Sequence, residues 1–207
     1  PRRQRMNLAN KLTIFRIILV PIMVTIPFLP ISGDLWGVPF TWIIVDLIFI
    51  IASITDKLDG YLARSRNEIT TFGKFLDPIA DKILVLAAMV MLVEMQKFPG
   101  WIPIIVLFRE FVVSGFRLIA VENGGKVIAA SIWGKLKTVT QMIAIIMMFL
   151  DKYAFFAFAN SASRNAMNGF EIAFNAVTSI IMLVSVIATV FSGWNYLKGG
   201  KDLLKDK

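Results

Sequence analysis

The chain has 207 residues, 57% of them hydrophobic and 17% charged, with a mean hydropathy of +0.72, which is too apolar for an ordinary water-soluble domain. It contains neither cysteine nor histidine, which excludes disulfides, thiolate nucleophiles, imidazole bases and the usual zinc sites, so any bound metal must be held by oxygen. A net charge of +8 and a pI near 9.9 are compatible with nucleic acid, anionic lipid or an anionic substrate, and the placement of the charges must choose among them.

Residues 1–5 precede Met6 and read as a cloning remnant; a single six-helix domain is expected over 6–207. Apolar segments run over 12–29, 40–54, 75–95, 101–121, 139–158 and 170–194. Each is close to the roughly 20 residues that cross a bilayer core, the second only if its helix continues through the polar residues that follow it. Pro30, Gly33, Gly37 and Pro39 punctuate the first connection, Pro99 and Gly100 the third, and Gly124 and Gly125 the fourth. The expected fold is therefore all-α: an integral membrane protein of six transmembrane helices.

With six spans and both termini inside, every Lys and Arg except Lys97, Lys152 and Arg164 falls on the cytoplasmic side. That matches the positive-inside rule and accounts for the basic excess without nucleic acid. The protein is expected in a multi-pass membrane location, with its site at the cytoplasmic face.

The second connection carries the chemistry. If the second helix continues to about residue 64, Asp56, Asp59, Gly60 and Ala63 lie along one stripe of its surface. Asp77 and Asp81, four residues apart at the head of the third span, share one face of theirs. Packed antiparallel, the two helices bring four carboxylates together, and their mutual repulsion in a low dielectric calls for cations. Oxygen-only ligation favours Mg²⁺ or Mn²⁺, and a pair of such ions suits in-line phosphoryl displacement. Gly60 and Ala63 leave room for a phosphate or flat base near the backbone, and Arg64 reads as a phosphate contact. Solvated acids at a helix end are the bland alternative, but four at these spacings beside two apolar spans favour a functional site. Asp46, inside the second span, belongs to no constellation.

The pattern Asp56-x2-Asp59-Gly60-x2-Ala63-Arg64-x8-Gly73-x3-Asp77-x3-Asp81 resembles the signature of the CDP-alcohol phosphotransferases. That resemblance implies a membrane homodimer that moves a substituted phosphate from a CDP-linked donor to an alcohol and releases CMP. It implies two metal ions held by Asp56, Asp59, Asp77 and Asp81, with Asp81 also the catalytic base. A CDP site of Asp59, Gly60, Ala63, Arg64, Gly73 and Thr70 is implied as well. The segments 7–16, 108–117, 127–131 and 134–138 resemble the bacterial branch that makes phosphatidylglycerophosphate, with Ala9 where relatives more often carry proline. This implies CDP-diacylglycerol as donor, glycerol 3-phosphate as acceptor and a bacterial inner membrane. The last two spans match in hydrophobicity alone.

Arg109, Arg117, Lys135 and Lys137 converge at the cytoplasmic ends of the fourth and fifth spans, which suits a phosphate-bearing acceptor. They read equally as snorkelling anchors, most evenly so for Lys137. Arg109 has two candidate counter-charges, the adjacent Glu110 or a motif aspartate. Asn10, Thr13 and Arg16 form a polar strip on the first span, for which nucleotide contact and helix capping are both open, Asn10 and Thr13 being placed with the CDP site. The rival readings are a cardiolipin synthase, an enzyme with an inositol phosphate acceptor, a divalent-cation carrier and a purely structural membrane protein.

Overall fold

The computed structural model describes residues 8–65, 71–122 and 132–199. They form α1 (Leu8–Thr25), a hairpin of β1 (Asp34–Leu35) and β2 (Val38–Pro39), α2 (Phe40–Ser65), α3 (Thr71–Glu94), α4 (Trp101–Glu122), α5 (Ile132–Leu150), the short α6 (Ser161–Asn165) and α7 (Gly169–Gly199). The chain divides into two compact units between Met91 and Leu92, inside α3.

In the first unit α1 packs on α2. Among the described side chains the buried positions of α1 are Asn10, Thr13, Arg16, Val20 and Met23, three or four residues apart, and those of α2 are the adjacent Val45 and Asp46 followed at intervals of three by Phe49 and Ala52, each set on one helical stripe. The inward face of α1 is thus polar in its first turns and apolar in its last. The two helices are joined through an antiparallel hairpin with Asp34 opposite Pro39 and Leu35 opposite Val38. Trp36 and Gly37 both take positive φ, 52° and 80°, as a tight two-residue turn requires. Gly33, at φ 101°, admits no side chain: a Cβ there would lie 2.7 Å from the Phe40 ring.

In the second unit α7 packs against α5 and α4. Its buried stripe is Asn175, Thr178, Met182, Ser185, Thr189, Ser192 and Tyr196, while Phe170, Val177, Ile180, Val184, Ile187, Val190, Phe191 and Trp194 face outward. Small hydroxylated residues let helix backbones approach closely. Thr178 and Thr189 satisfy their hydroxyls by donating to the carbonyls of Phe174 and Ser185, at 2.8 and 2.7 Å. Large apolar side chains outside and small polar ones inside reverse the water-soluble arrangement and mark a protein whose solvent is lipid. By length and composition, 10–28, 132–150 and 169–199 are candidate membrane spans among the described residues. The remaining long helices, α2, α3 and α4, carry most of the charged groups of the expected sites, Lys135 and Lys137 lying on α5.

The second apolar segment continues as one helix to Ser65, the continuation its polar tail requires. The fifth differs from expectation: it is helical over Ile132–Leu150 rather than 139–158. It stops where a buried polar knot takes over the chain. The Lys97 ammonium donates to the Asp151 carbonyl. Asn175 Nδ2 donates to Asp151 Oδ2 at 2.9 Å and to the Ala154 carbonyl at 3.0 Å, while its Oδ1 accepts from the Phe158 N–H at 3.0 Å. The Tyr153 N–H donates to Asp151 Oδ1 at 2.9 Å, and the Phe156 N–H to Ser179 Oγ at 2.9 Å. Burial holds the Lys97 amine below its ordinary pKa and pushes the Asp151 carboxyl above its own, and their mutual attraction opposes both shifts.

Candidate functional site

The first unit carries the acidic motif on two helices. Because α2 runs unbroken to Ser65, Asp56, Asp59, Gly60, Ala63 and Arg64 occupy its last three turns in helical register. Because α3 begins at Thr71, Gly73 lies in its first turn, with Asp77 and Asp81 one turn apart beyond it. The side chains of Asp59, Ala63, Arg64 and Asp77 lie outside the described ones, and Thr70 lies outside the described residues altogether. The described carboxylates of the motif are therefore those of Asp56 and Asp81, both part-exposed.

Asp56 is held from α1. Its Oδ1 lies 2.7 Å from Arg16 Nη1, the guanidinium being fully buried and the carboxylate 36% exposed. Arg16 continues the inward line of Asn10 and Thr13, three residues apart along α1 and buried with it. Since α1 starts at Leu8, positions 10 and 13 lie inside the helix, and end-capping is not their role. A cation from a neighbouring helix thus offsets part of the negative charge of the motif. Among the described residues no three acidic side chains gather as a metal site; four carboxylates on α2 and α3, oxygen donors only, would suit a hard divalent ion by their chemistry.

The second unit gathers the basic residues. Glu110 Oε1 accepts from Arg109 Nη1 at 2.8 Å and from Lys137 Nζ at 2.7 Å, so one carboxylate of α4 is shared by a cation of α4 and one of α5. Of the two candidate counter-charges for Arg109, Glu110 is paired with it; the motif side chains of Asp59 and Asp77 lie outside the described ones. Arg109 also donates from Nε and Nη2 to Ser192 Oγ of α7, at 3.2 and 2.6 Å. Beside it Gly193 leaves space, for a Cβ there would rest 3.5 Å from Arg109 Cγ. Arg117 Nη2 donates to the Tyr196 hydroxyl at 3.0 Å. The Tyr196 ring lies between the two arginines, its centroid 5.9 Å from Cζ of Arg109 and 5.8 Å from Cζ of Arg117, a cation-π contact on each. Arg109, Arg117 and Lys137 are thus drawn together around Glu110, Ser192 and Tyr196. Lys135, exposed near the start of α5, has no ion pair with them.

Ser192 and Tyr196 were not legible as site residues. They lie one turn apart on an apolar helix, and the sequence signal for them is a hydroxyl-bearing pair at i and i+4 beside a glycine; the expectation that the last two spans resemble relatives in hydrophobicity alone is corrected by likeness that runs over 96–98% of the chain. Asp46 is also buried, in the second turn of α2, and its Oδ1 has no hydrogen-bond partner among the described residues.

Residues 6–191 match the family model described as CDP-alcohol phosphatidyltransferase. The chain is 38% identical over 207 residues to a Bacillus subtilis protein named CDP-diacylglycerol–glycerol-3-phosphate 3-phosphatidyltransferase, covering 96% of this chain and 97% of that one. It is 40% identical over 206 residues to a Haemophilus influenzae protein of the same name, covering 98% and 97%. An Escherichia coli K12 protein of that name is 41% identical over 143 residues, covering 67% of this chain and 74% of its own.

Proposed function

The chain belongs to the CDP-alcohol phosphatidyltransferase family, and from that premise we propose that it transfers the phosphatidyl group of CDP-diacylglycerol to sn-glycerol 3-phosphate, giving phosphatidylglycerophosphate and CMP. What carries the reading is that the likeness to relatives so named runs over 96% of the chain, taking in the basic residues of α4 and α5 as well as the aspartate motif. Arg109, Arg117, Lys135 and Lys137 are the groups we assign to the acceptor phosphate.

The CDP moiety is read onto Asp59, Gly60, Ala63, Arg64, Thr70, Gly73, Asn10 and Thr13, with Gly60 and Ala63 supplying room and Arg64 a charge for the pyrophosphate. Asp56, Asp59, Asp77 and Asp81 are the residues that would hold two Mg²⁺ or Mn²⁺ ions. When bound, these supply positive charge to the pyrophosphate oxygens and to the departing CMP. Asp81 takes the proton of the primary hydroxyl as its oxygen attacks the phosphorus that bears diacylglycerol. That P–O bond forms while the bond to CMP breaks. Arg16, paired to Asp56, holds that carboxylate in place. The protein so read is a homodimer in a bacterial inner membrane, with six spans, both termini and the site on the cytoplasmic side.

Purified protein in mixed micelles, given CDP-diacylglycerol, Mg²⁺ or Mn²⁺ and a panel of alcohols, is expected to release CMP with glycerol 3-phosphate. Release with phosphatidylglycerol or an inositol phosphate, and none with glycerol 3-phosphate, would sink the acceptor assignment. A chelator should stop turnover and added divalent ion restore it. Asp81→Asn should abolish turnover while largely sparing donor binding, and a fully active Asp81→Asn protein would rule Asp81 out as base.

A further inference from the structure

The basic residues of the second unit differ in how tightly they are held. Arg109 and Lys137 have 13% and 9% of their side chains exposed, and both give a hydrogen bond to Glu110. Arg109 gives two more to Ser192. These two cations share one carboxylate and are fixed between α4, α5 and α7. Arg117 is exposed, and both of its contacts among the described residues are with Tyr196, one N–H to the hydroxyl and the guanidinium against the ring. An arginine on a flexible stem binds a phosphate well only when its planar fork is held in one orientation, because the ordering cost otherwise falls on the binding step.

Tyr196 is built to supply that orientation. Its ring is 2% exposed and set in the buried stripe of α7, so the hydroxyl is a fixed point. That hydroxyl accepts from Arg117 Nη2, leaving the remaining N–H donors of the guanidinium for an anion. The same ring lies 5.9 Å from the guanidinium carbon of Arg109, so one residue of α7 spaces both arginines of α4. We propose that Tyr196 is the positioning residue of the acceptor site: it holds Arg117 ready for the phosphate of the acceptor and so sets the preference for a phosphorylated over an unphosphorylated alcohol. This rests on the glycerol 3-phosphate reading given above, and it assigns the leading phosphate contact to Arg117, ahead of Arg109 and Lys137, which are already hydrogen-bonded to Glu110.

The test is steady-state kinetics of wild-type, Tyr196→Phe, Arg117→Ala and the double variant, with glycerol 3-phosphate and with glycerol as acceptors. Tyr196→Phe keeps the buried ring and removes the fixed hydroxyl. It should raise KM for glycerol 3-phosphate about tenfold, the size of one hydrogen bond to a charged group. The preference over glycerol should fall by the same factor, while kcat and KM for CDP-diacylglycerol change less than about twofold. In the Arg117→Ala background the Tyr196→Phe change should have no further effect on KM for glycerol 3-phosphate, since Tyr196 acts through Arg117. An unchanged KM for glycerol 3-phosphate in Tyr196→Phe would overturn the inference. So would an equal loss for both acceptors accompanied by a lower thermal midpoint, which marks a merely structural role. A wild-type protein that releases CMP with another alcohol and none with glycerol 3-phosphate overturns the acceptor reading first, a result separate from any effect of Tyr196.

Discussion

Arg16 places a full positive charge on the inward face of an apolar helix, where an ion is tolerated only if it is paired. Its pairing with Asp56 ties α1 to the helix that carries the acidic motif, so a residue outside the motif orients one inside it. Breaking a buried pair from one side leaves a desolvated charge and costs roughly 3–5 kcal/mol when both partners are buried. Asp56 is partly open to its surroundings, which reduces the figure here, and we expect Arg16→Leu to destabilise the protein by about 1–3 kcal/mol. A double-mutant cycle with Asp56→Asn, read by thermal denaturation in detergent, should give a coupling of that sign and size. Additive effects would show that the two side chains act independently. The polar strip on α1 was readable from its spacing, but its partner was not, because a guanidinium reaches several ångströms and only the packing of α1 on α2 selects Asp56.

At the scale of elements, the Lys97–Asp151–Asn175 knot determines where α5 ends. Asn175 answers two acceptors and one donor of the 151–158 stretch. Asn175→Leu should strand these groups and cost about 2–4 kcal/mol, measured as a shift of the unfolding midpoint, whereas a variant of wild-type stability would remove the knot as the cause of the helix end. The pH dependence has a definite sign. Burial raises the folded-state pKa of Asp151 above its ordinary value, so between those two values the folded protein binds more protons than the unfolded chain. Stability from this group therefore falls as pH rises through that window and recovers on acidification. Lys97, lowered by burial, acts oppositely, its contribution rising with pH between its folded value and the ordinary lysine value. In Asp151→Asn the acid-side recovery should vanish from a plot of thermal midpoint against pH; its persistence would place the titration elsewhere. Segment 139–158 was apolar enough to pass for a whole span, and hydropathy alone cannot see the reversal at Asp151, which depends on hydrogen bonds to α7 and to the loop after α3.

For the whole molecule, the outward faces of α4, α5 and α7 carry Phe108, Phe111, Val139, Ile143, Val184 and Trp194, and lipid is the solvent that tolerates them. The proposed six-span topology with both termini inside can be tested on single cysteines, since the natural chain has none. Ser163→Cys, in α6, should be labelled by a membrane-impermeant maleimide from the outer face of the inner membrane, and Lys135→Cys, near the start of α5, only after permeabilisation. The reverse pattern would invert the topology.

Periodicity, charge placement and the absence of histidine and cysteine determined by themselves that this is a helical membrane protein, where most of its helices lie, and that its carboxylates stand in register on α2 and α3. Those properties are local: helical spacing and hydropathy depend on neighbours along the chain. Which side chains answer one another was decided by tertiary structure alone. Arg16 on Asp56, Lys137 on Glu110, Arg117 on Tyr196 and Arg109 on Ser192 join helices through residues 27 to 83 positions apart in sequence. Hydrogen-bond energy falls away within a few tenths of an ångström, far below what the order of residues specifies.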